Sequence, residues 1–352
     1  MVNRLLPEWT PQDAVQLTWP GPDSDWGPLL ERIEATLERL VTAIARYQAV
    51  LIAVPDIPTR NRLADRFARL GISEDRLYLM VAETDDTWAR DHGPLTVERD
   101  GAPLLLDYAF TGWGGKFDAS RDDALTRCLH ALGAYACPLQ PRQLVLEGGA
   151  IDTDGEGSLL TTEACLLNDN RNPGLGRRDI EAHLAEDLGI RRVLWLRHGH
   201  LEGDDTDSHV DTLARFCDPA TIAYVRCNDP QDPHHAELAA MENELRALRR
   251  ADGSPYRLIA LPWPAPCLDP EDGHRLPATY ANFLVINGAV LVPTYGDAAD
   301  TTALAALGEA FPDRDIVPID ASTLIRQHGS LHCLAMQLPR GTLNRHRAGE
   351  GP

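Results

Sequence analysis

Ala49-Val-Leu-Ile-Ala-Val-Pro-Asp-Ile-Pro58 is the stretch that decides the fold class. Six apolar residues, three of them β-branched, read as a buried strand that ends where Pro55 removes the next backbone donor. A dinucleotide-binding sheet needs a glycine-rich turn after such a strand, so that the backbone can approach a pyrophosphate. Val54-Pro-Asp-Ile-Pro58 stands there instead, and neither G-x-G-x-x-G nor a P-loop occurs elsewhere in the chain. Working outward, Leu29, Ile33, Leu37, Leu40, Val41 and Ile44 fall at helical spacing and predict a helix over 29–47. A second helix is expected over 60–70, stopped by Gly71. The alternation then continues. Extended segments are expected at 77–81, 103–110, 144–146, 158–167, 192–196, 221–225, 257–261, 316–319 and 331–338. Helices are expected at 120–132, 177–188, 237–249 and 302–311. Asn287-Gly288 between two apolar runs predicts a hairpin with a type I′ turn. The pattern is α/β with many short strands. No shift in composition marks a boundary, and the Pro-rich stretch 262–270 reads as a loop, so residues 1–352 are expected to form a single domain.

Composition narrows the function classes. Thirty-three Lys and Arg stand against 53 Asp and Glu, a net charge of -20. That argues against a nucleic-acid partner and creates a field that attracts cations. No run of 18 apolar residues occurs, so no membrane span is expected, and residues 1–19 lack the apolar core of a signal peptide. The seven cysteines, Cys128, Cys137, Cys165, Cys217, Cys227, Cys267 and Cys333, are odd in number and contain no C-x-x-C. Reduced thiols and a cytoplasmic location are the expectation, rather than a disulfide framework or a structural zinc site.

Four segments carry polar groups that packing does not require. Asp85-Asp-Thr-Trp-Ala-Arg-Asp-His-Gly-Pro94 follows a strand and reads either as a solvated loop with an Arg–Asp pair or as part of a site. In Leu144-Val-Leu-Glu-Gly-Gly-Ala-Ile151, Glu147 ends an apolar run before two glycines that let a backbone approach a ligand. His198-Gly-His-Leu-Glu-Gly-Asp-Asp-Thr-Asp-Ser-His-Val-Asp211 is dense in Asp, Glu and His. It reads as a charged loop, as a metal-dependent hydrolase site using His198, His200 and Asp204, or as acid–base machinery with His209 and Asp211 on one face of a strand. Gln327-His-Gly-Ser-Leu-His-Cys333 places Cys333 in a final strand, as a small buried hydrophobe or as a nucleophile.

Taken in order, these segments resemble the agmatine deiminase and bacterial-type peptidylarginine deiminase family of the guanidine-modifying superfamily. The resemblance runs through Leu6-Pro-Glu-Trp9, Leu17-Thr-Trp-Pro20, Thr87-Trp-Ala-Arg-Asp91, Gly112-Trp-Gly-Gly-Lys116 and Leu146-Glu-Gly-Gly149. It continues through Leu159-Leu-Thr-Thr-Glu163, Leu167-Asn-Asp-Asn-Arg-Asn-Pro173, Asp205-Thr-Asp-Ser-His-Val-Asp211, Tyr280-Ala-Asn-Phe283, Val292-Pro-Thr-Tyr-Gly-Asp297 and Leu331-His-Cys333.

The resemblance implies a five-bladed α/β propeller of ββαβ-type modules around a central active site. It implies a C–N hydrolase acting on linear amidines, which takes a guanidino group to a ureido group plus ammonia. Agmatine, giving N-carbamoylputrescine, is the expected substrate, with free arginine, peptidylarginine or another guanidine as alternatives. By match to the motifs, Cys333 would attack the guanidino carbon and His209 would move protons. Asp91 and Asp211 would clamp the planar cation, with Glu147 beside them. Trp88 and Trp113 would pack on the substrate's methylenes and Asp205 would meet its ammonium. No metal or organic cofactor is expected, and a homodimer or larger homo-oligomer is. The chain departs from the family's pattern at Asp207-Ser208 and Gln327-His-Gly-Ser330, which border the tail.

Overall fold

A computed structural model describes residues 2–345. Among them one supersecondary plan recurs five times: an antiparallel pair of strands, then a helix, then a strand parallel to the second. The first sheet orders Met336–Pro339, Gln12–Thr18, Ala49–Val54 and Leu77–Val81. The second orders Asn3–Leu5, Leu95–Arg99, Ala102–Ala109 and Leu139–Val145. The third sets Ile151–Thr153 against Ser158–Thr162 and Arg192–Leu196, and the fourth Ala214–Asp218 against Thr221–Val225 and Arg257–Leu261. The fifth sets Leu284–Ile286 against Ala289–Thr294 and Asp315–Asp320. Parallel neighbours need a long crossover, and each sheet supplies a helix for it: Leu30–Ala45, Ser120–Ala131, Arg177–Leu188, His235–Ala247 and Asp300–Ala310. A two-stranded ribbon, Cys267–Leu268 with Arg275–Leu276, lies outside this plan.

The first crossover helix shows why the elements form where they do. Ile33, Leu37, Leu40, Val41 and Ile44 are buried, and they pack on Val15, Leu17, Val50, Ile52 and Val54. Each such side chain contributes roughly 1.5–3 kcal/mol by leaving water. Asp56 caps the next helix, Ile57–Arg69, by accepting the Thr59 N–H at 2.6 Å.

Four expectations are corrected. No strand was expected before Ala49–Val54. Gln12–Thr18 precedes it and is wholly buried, and some of its polar atoms find partners inside: Gln12 Nε2 donates to Val285 O at 3.1 Å and Tyr135 donates to Gln16 Oε1 at 2.6 Å, while Gln16 Nε2 and Thr18 Oγ1 have no hydrogen bond among the described residues. The hairpin forms, but its turn is not type I′, since only Gly288 of the two turn residues has positive φ. Asn287 is held instead by Gln12, whose N–H it accepts at 3.0 Å and to whose carbonyl it donates at 2.8 Å. The last strand starts only at Met336, so Cys333 sits in the turn before it. Finally, Val210–Thr212 is a 3₁₀ turn, not a strand.

The short turns that end these strands touch one another. The helical turn Ala89–His92 packs on Gly148–Ala150, which packs on Val210–Thr212. Three motifs separated in sequence thereby reach one place.

Candidate active site

Asn282 organises the turn that carries Cys333. Its Oδ1 accepts the backbone N–H groups of His332 at 3.0 Å and Cys333 at 3.3 Å. Its Nδ2 donates to Asp211 Oδ2 at 3.1 Å and lies 3.2 Å from the Cys333 sulfur. The sulfur is also 3.6 Å from Asp211 Oδ2. Burial pushes the Cys333 thiol well above its ordinary pKa, and the Asp211 and Asp91 carboxylates push it further. Asp211 itself is held low: burial works against its charge, but the hydrogen bond and charge of His332 outweigh that cost.

Gly149 is where the remaining groups converge. A Cβ built on it would stand 2.6 Å from His209 Nδ1, 2.8 Å from Asp91 Oδ1 and 3.2 Å from Asp211 Oδ2. Its missing side chain is therefore what lets an imidazole and two carboxylates surround one point. Asp91 is fixed there by the Gly149 N–H at 2.9 Å on one oxygen and by Trp113 Nε1 at 2.9 Å on the other. His209 Nδ1 lies 3.6 Å from Asp91 Oδ1. Burial lowers the His209 pKa, but Asp91, the adjacent Cys165 thiol and Glu147 together raise it well above the ordinary imidazole value. Neither ring nitrogen of His209 has a hydrogen bond of ordinary geometry among the described residues, and the same holds for Glu147 Oε2 and Asp211 Oδ1. Buried polar atoms so placed are costly unless a ligand completes them. The other oxygen of Glu147 takes Arg171 Nε at 2.7 Å.

Arg171 and Asn282 escaped the residue-by-residue reading, although both lie inside quoted motifs. Arg171 also donates to the Thr206 carbonyl at 2.9 Å and pairs with Asp207. With Lys116 Nζ 2.9 Å from Asp207 Oδ1, it clamps the loop that carries His209. This clamp explains the two positive φ angles at Asp207 and Ser208, and it turns Asp207 away from the cavity.

A cavity of about 180 Å³ opens above these groups, lined by Asp91 and Cys333 at its floor. Trp88, Trp113 and Asp205 line it, whereas His209, Asp211 and Glu147 lie fully buried beneath. Trp113 does more than offer an apolar face, because its N–H holds Asp91 and its backbone is left-handed at φ 56°. Trp88 donates to Asp86 Oδ2 at 3.0 Å, and Gly329 packs so closely that a Cβ there would come within 2.2 Å of the Trp88 ring. Asp25, Asp86 and Asp204 join Asp205 around the cavity; Asp25 and Asp86 were not singled out, and Asp204 was weighed only as a metal ligand. Burial, with Asp122 and Asp25 adding, pushes Asp86 up to about 7, and burial likewise raises Asp205. Arg326 also lines the cavity, but its guanidinium is already committed to Asp269 at 2.8 Å and Glu271 at 2.9 Å.

The ligand set of the metal-hydrolase alternative is not brought together. His198 turns to Glu244 at 3.0 Å, His200 is exposed, and Asp204 spends its carboxylate on Thr206 and Ser208 N–H groups at 3.1 and 2.6 Å. The solvated-loop reading of 85–94 fails as well, since Arg90, Asp91 and His92 are all buried.

Fold and site together define a hydrolase of guanidino C–N bonds. Residues 4–339 match the model of the Porphyromonas-type peptidyl-arginine deiminase family, and the chain belongs to that family. The agmatine deiminase of Stutzerimonas stutzeri is 34% identical over 94% of each chain. The solved agmatine deiminase of C. jejuni is 36% identical, with a TM-score of 0.86 over 97% of both chains. A Porphyromonas gingivalis structure, assigned only provisionally as an arginine deiminase, is 51% identical with a TM-score of 0.89, over 97% of this chain and all of that one.

Proposed function

We propose that this enzyme converts agmatine and water to N-carbamoylputrescine and ammonia, with Cys333 as nucleophile. One observation carries the reading: a buried thiol lies beside unsatisfied carboxylate and imidazole atoms, under a cavity ringed by Asp25, Asp86, Asp204 and Asp205. A guanidinium is planar, cationic and a poor electrophile, so a site for it must hold its N–H fork and bring a strong nucleophile to its carbon. Asp91 and Asp211 supply the fork's acceptors.

Charge explains the order of events. In the free site the Asp211 and Asp91 carboxylates gather negative charge around the buried sulfur of Cys333. The thiol stays protonated in that excess of negative charge. The bound guanidinium offsets it, and Cys333 can then give up its proton to bulk water through the open cavity and attack the guanidino carbon as a thiolate. His209 gives its proton to the departing nitrogen, which leaves as ammonia, and an S-alkylthiouronium remains on Cys333. His209, now neutral, takes a proton from water as the water attacks the same carbon. Collapse breaks the C–S bond, the remaining hydroxyl proton passes to the departing sulfur, and the urea is released with Cys333 restored as the thiol.

The tail end of the cavity favours an ammonium. Four carboxylates meet it, and Arg326, the cation that a substrate carboxylate would want, is already paired. We also assign the five repeated sheets to the blades of one closed α/β propeller, which accounts for the meeting of their terminal turns. Seven unpaired cysteines support a reducing cytoplasm as its place of work. The test is ammonia release from agmatine, arginine and a blocked arginyl peptide. Agmatine should lead in kcat/KM by at least tenfold; turnover of arginine with agmatine inert would overturn the substrate assignment and leave the Cys333 chemistry standing.

A further inference from the structure

The motif Leu6-Pro-Glu-Trp9 lies at the far end of the chain from the nucleophile, yet it reaches the underside of the site. Glu8 Oε1 is 2.6 Å from His332 Nε2, and His332 Nδ1 is 2.7 Å from Asp211 Oδ2. His332 is thus held between two carboxylates, one of which clamps substrate in the reading above. An ionised carboxylate only accepts, so both contacts are satisfied at once only when each ring nitrogen carries a proton. Behind Glu8 stand Arg215 at 2.5 Å, Arg90 at 3.4 Å and Gln337 at 2.9 Å, with Asp152 on the other side of Arg215 at 3.1 Å. Asp211 is faced otherwise by Asn282, Cys333 and His209, with Asp91 across Gly149.

We propose that Glu8 and His332 are positioning residues that act through Asp211, aiming its free oxygen at the substrate and holding its buried carboxylate in the charged form. The proposal rests on the guanidinium-clamping role of Asp211. His332 gives Asp211 a positive neighbour and a fixed donor. Glu8, anchored by Arg215, accepts from the far ring nitrogen and stops the ring from turning. Asp211 Oδ1 is left as the unpartnered atom for the substrate.

The variants His332→Leu, His332→Asn and Glu8→Gln test this, assayed with whichever guanidine the wild-type enzyme turns over best. If the wild type turns over none, it is the function reading that has failed. Binding of agmatine to the Cys333→Ser background by calorimetry then reads the relay without turnover. His332→Leu should cost at least a hundredfold in kcat/KM, or in affinity, and move the acid limb of the profile to higher pH as Asp211 becomes harder to ionise. His332→Asn, whose amide can still donate to Asp211, should recover most of the loss. Glu8→Gln should fall between. Combined with Asp211→Asn, His332→Leu should add little. An acid limb that does not move, or losses that multiply fully in the Asp211→Asn background, would show that His332 only fills space.

Discussion

Asp211 Oδ2 stands 3.6 Å from the sulfur of Cys333, so the nucleophile of the free enzyme rests against an anion. That placement opposes ionisation until a cation arrives. Chloroacetamidine and chloroacetamide are nearly the same size, but only the first is cationic. After correction for their rates with a free thiol, chloroacetamidine should inactivate the enzyme at least a hundredfold faster. Equal rates would mean that Cys333 is a thiolate before substrate binds.

Gly149→Ala is the smallest change that should disable the site. The new methyl would press on His209 and Asp91 at 2.6 and 2.8 Å, so at least one must retreat. A displacement of about 1 Å at reacting groups costs on the order of a hundredfold. The expected outcome is a folded protein with kcat/KM reduced at least that much. Unchanged activity would show that the convergence at Gly149 does not matter to the chemistry.

Much of this was legible in the sequence, and the omissions have physical causes. Apolar periodicity located the crossover helices to within a few residues, because each buries a single face. Gln12–Thr18 stayed hidden since Gln12 Nε2 and Gln16 Oε1 meet partners far along the chain, which local pattern cannot show. Cys333, His209, Asp91, Asp211 and Glu147 were identifiable by motif and do come together. Asn282 and Arg171 were not singled out, because their partners, the Cys333 turn and the Glu147–Asp207 clamp, exist only in three dimensions. Asp86 looked like one more acid in a charged loop until its burial beside Asp25 and Asp122 became visible.

Asp86 gives the tail subsite a pH dependence. Its carboxyl is raised to about 7, first by burial, so it is largely neutral below that pH and charged above it. The charged form attracts agmatine's ammonium, so KM for agmatine should fall as pH rises from about 6 to 8. Asp86→Asn should flatten that slope at the high-KM level. Asp205→Asn should raise KM roughly tenfold to a hundredfold, as expected for a charged hydrogen bond, and narrow the preference over arginine with kcat nearly kept. Steady-state kinetics across this range decide both; a KM independent of pH would remove Asp86 from the tail subsite.

His209 and Asp91 should separate in kinetics. His209→Ala should lower kcat by about 10²–10⁴-fold with a modest change in KM, as loss of proton transfer does. Asp91→Asn should damage KM and kcat together, because the clamp acts in both ground and transition states. Matching effects of the two variants would mean that His209 binds rather than transfers protons.

The covalent step can be observed directly. Wild-type enzyme turning over saturating agmatine is quenched in acid within milliseconds, digested, and its cysteine peptides are weighed. The account predicts a mass increase equal to agmatine less ammonia on the peptide holding Cys333, absent from the other six cysteines and absent from Cys333→Ser. Ammonia released at an undiminished rate by Cys333→Ser, or the adduct on another cysteine, would contradict it.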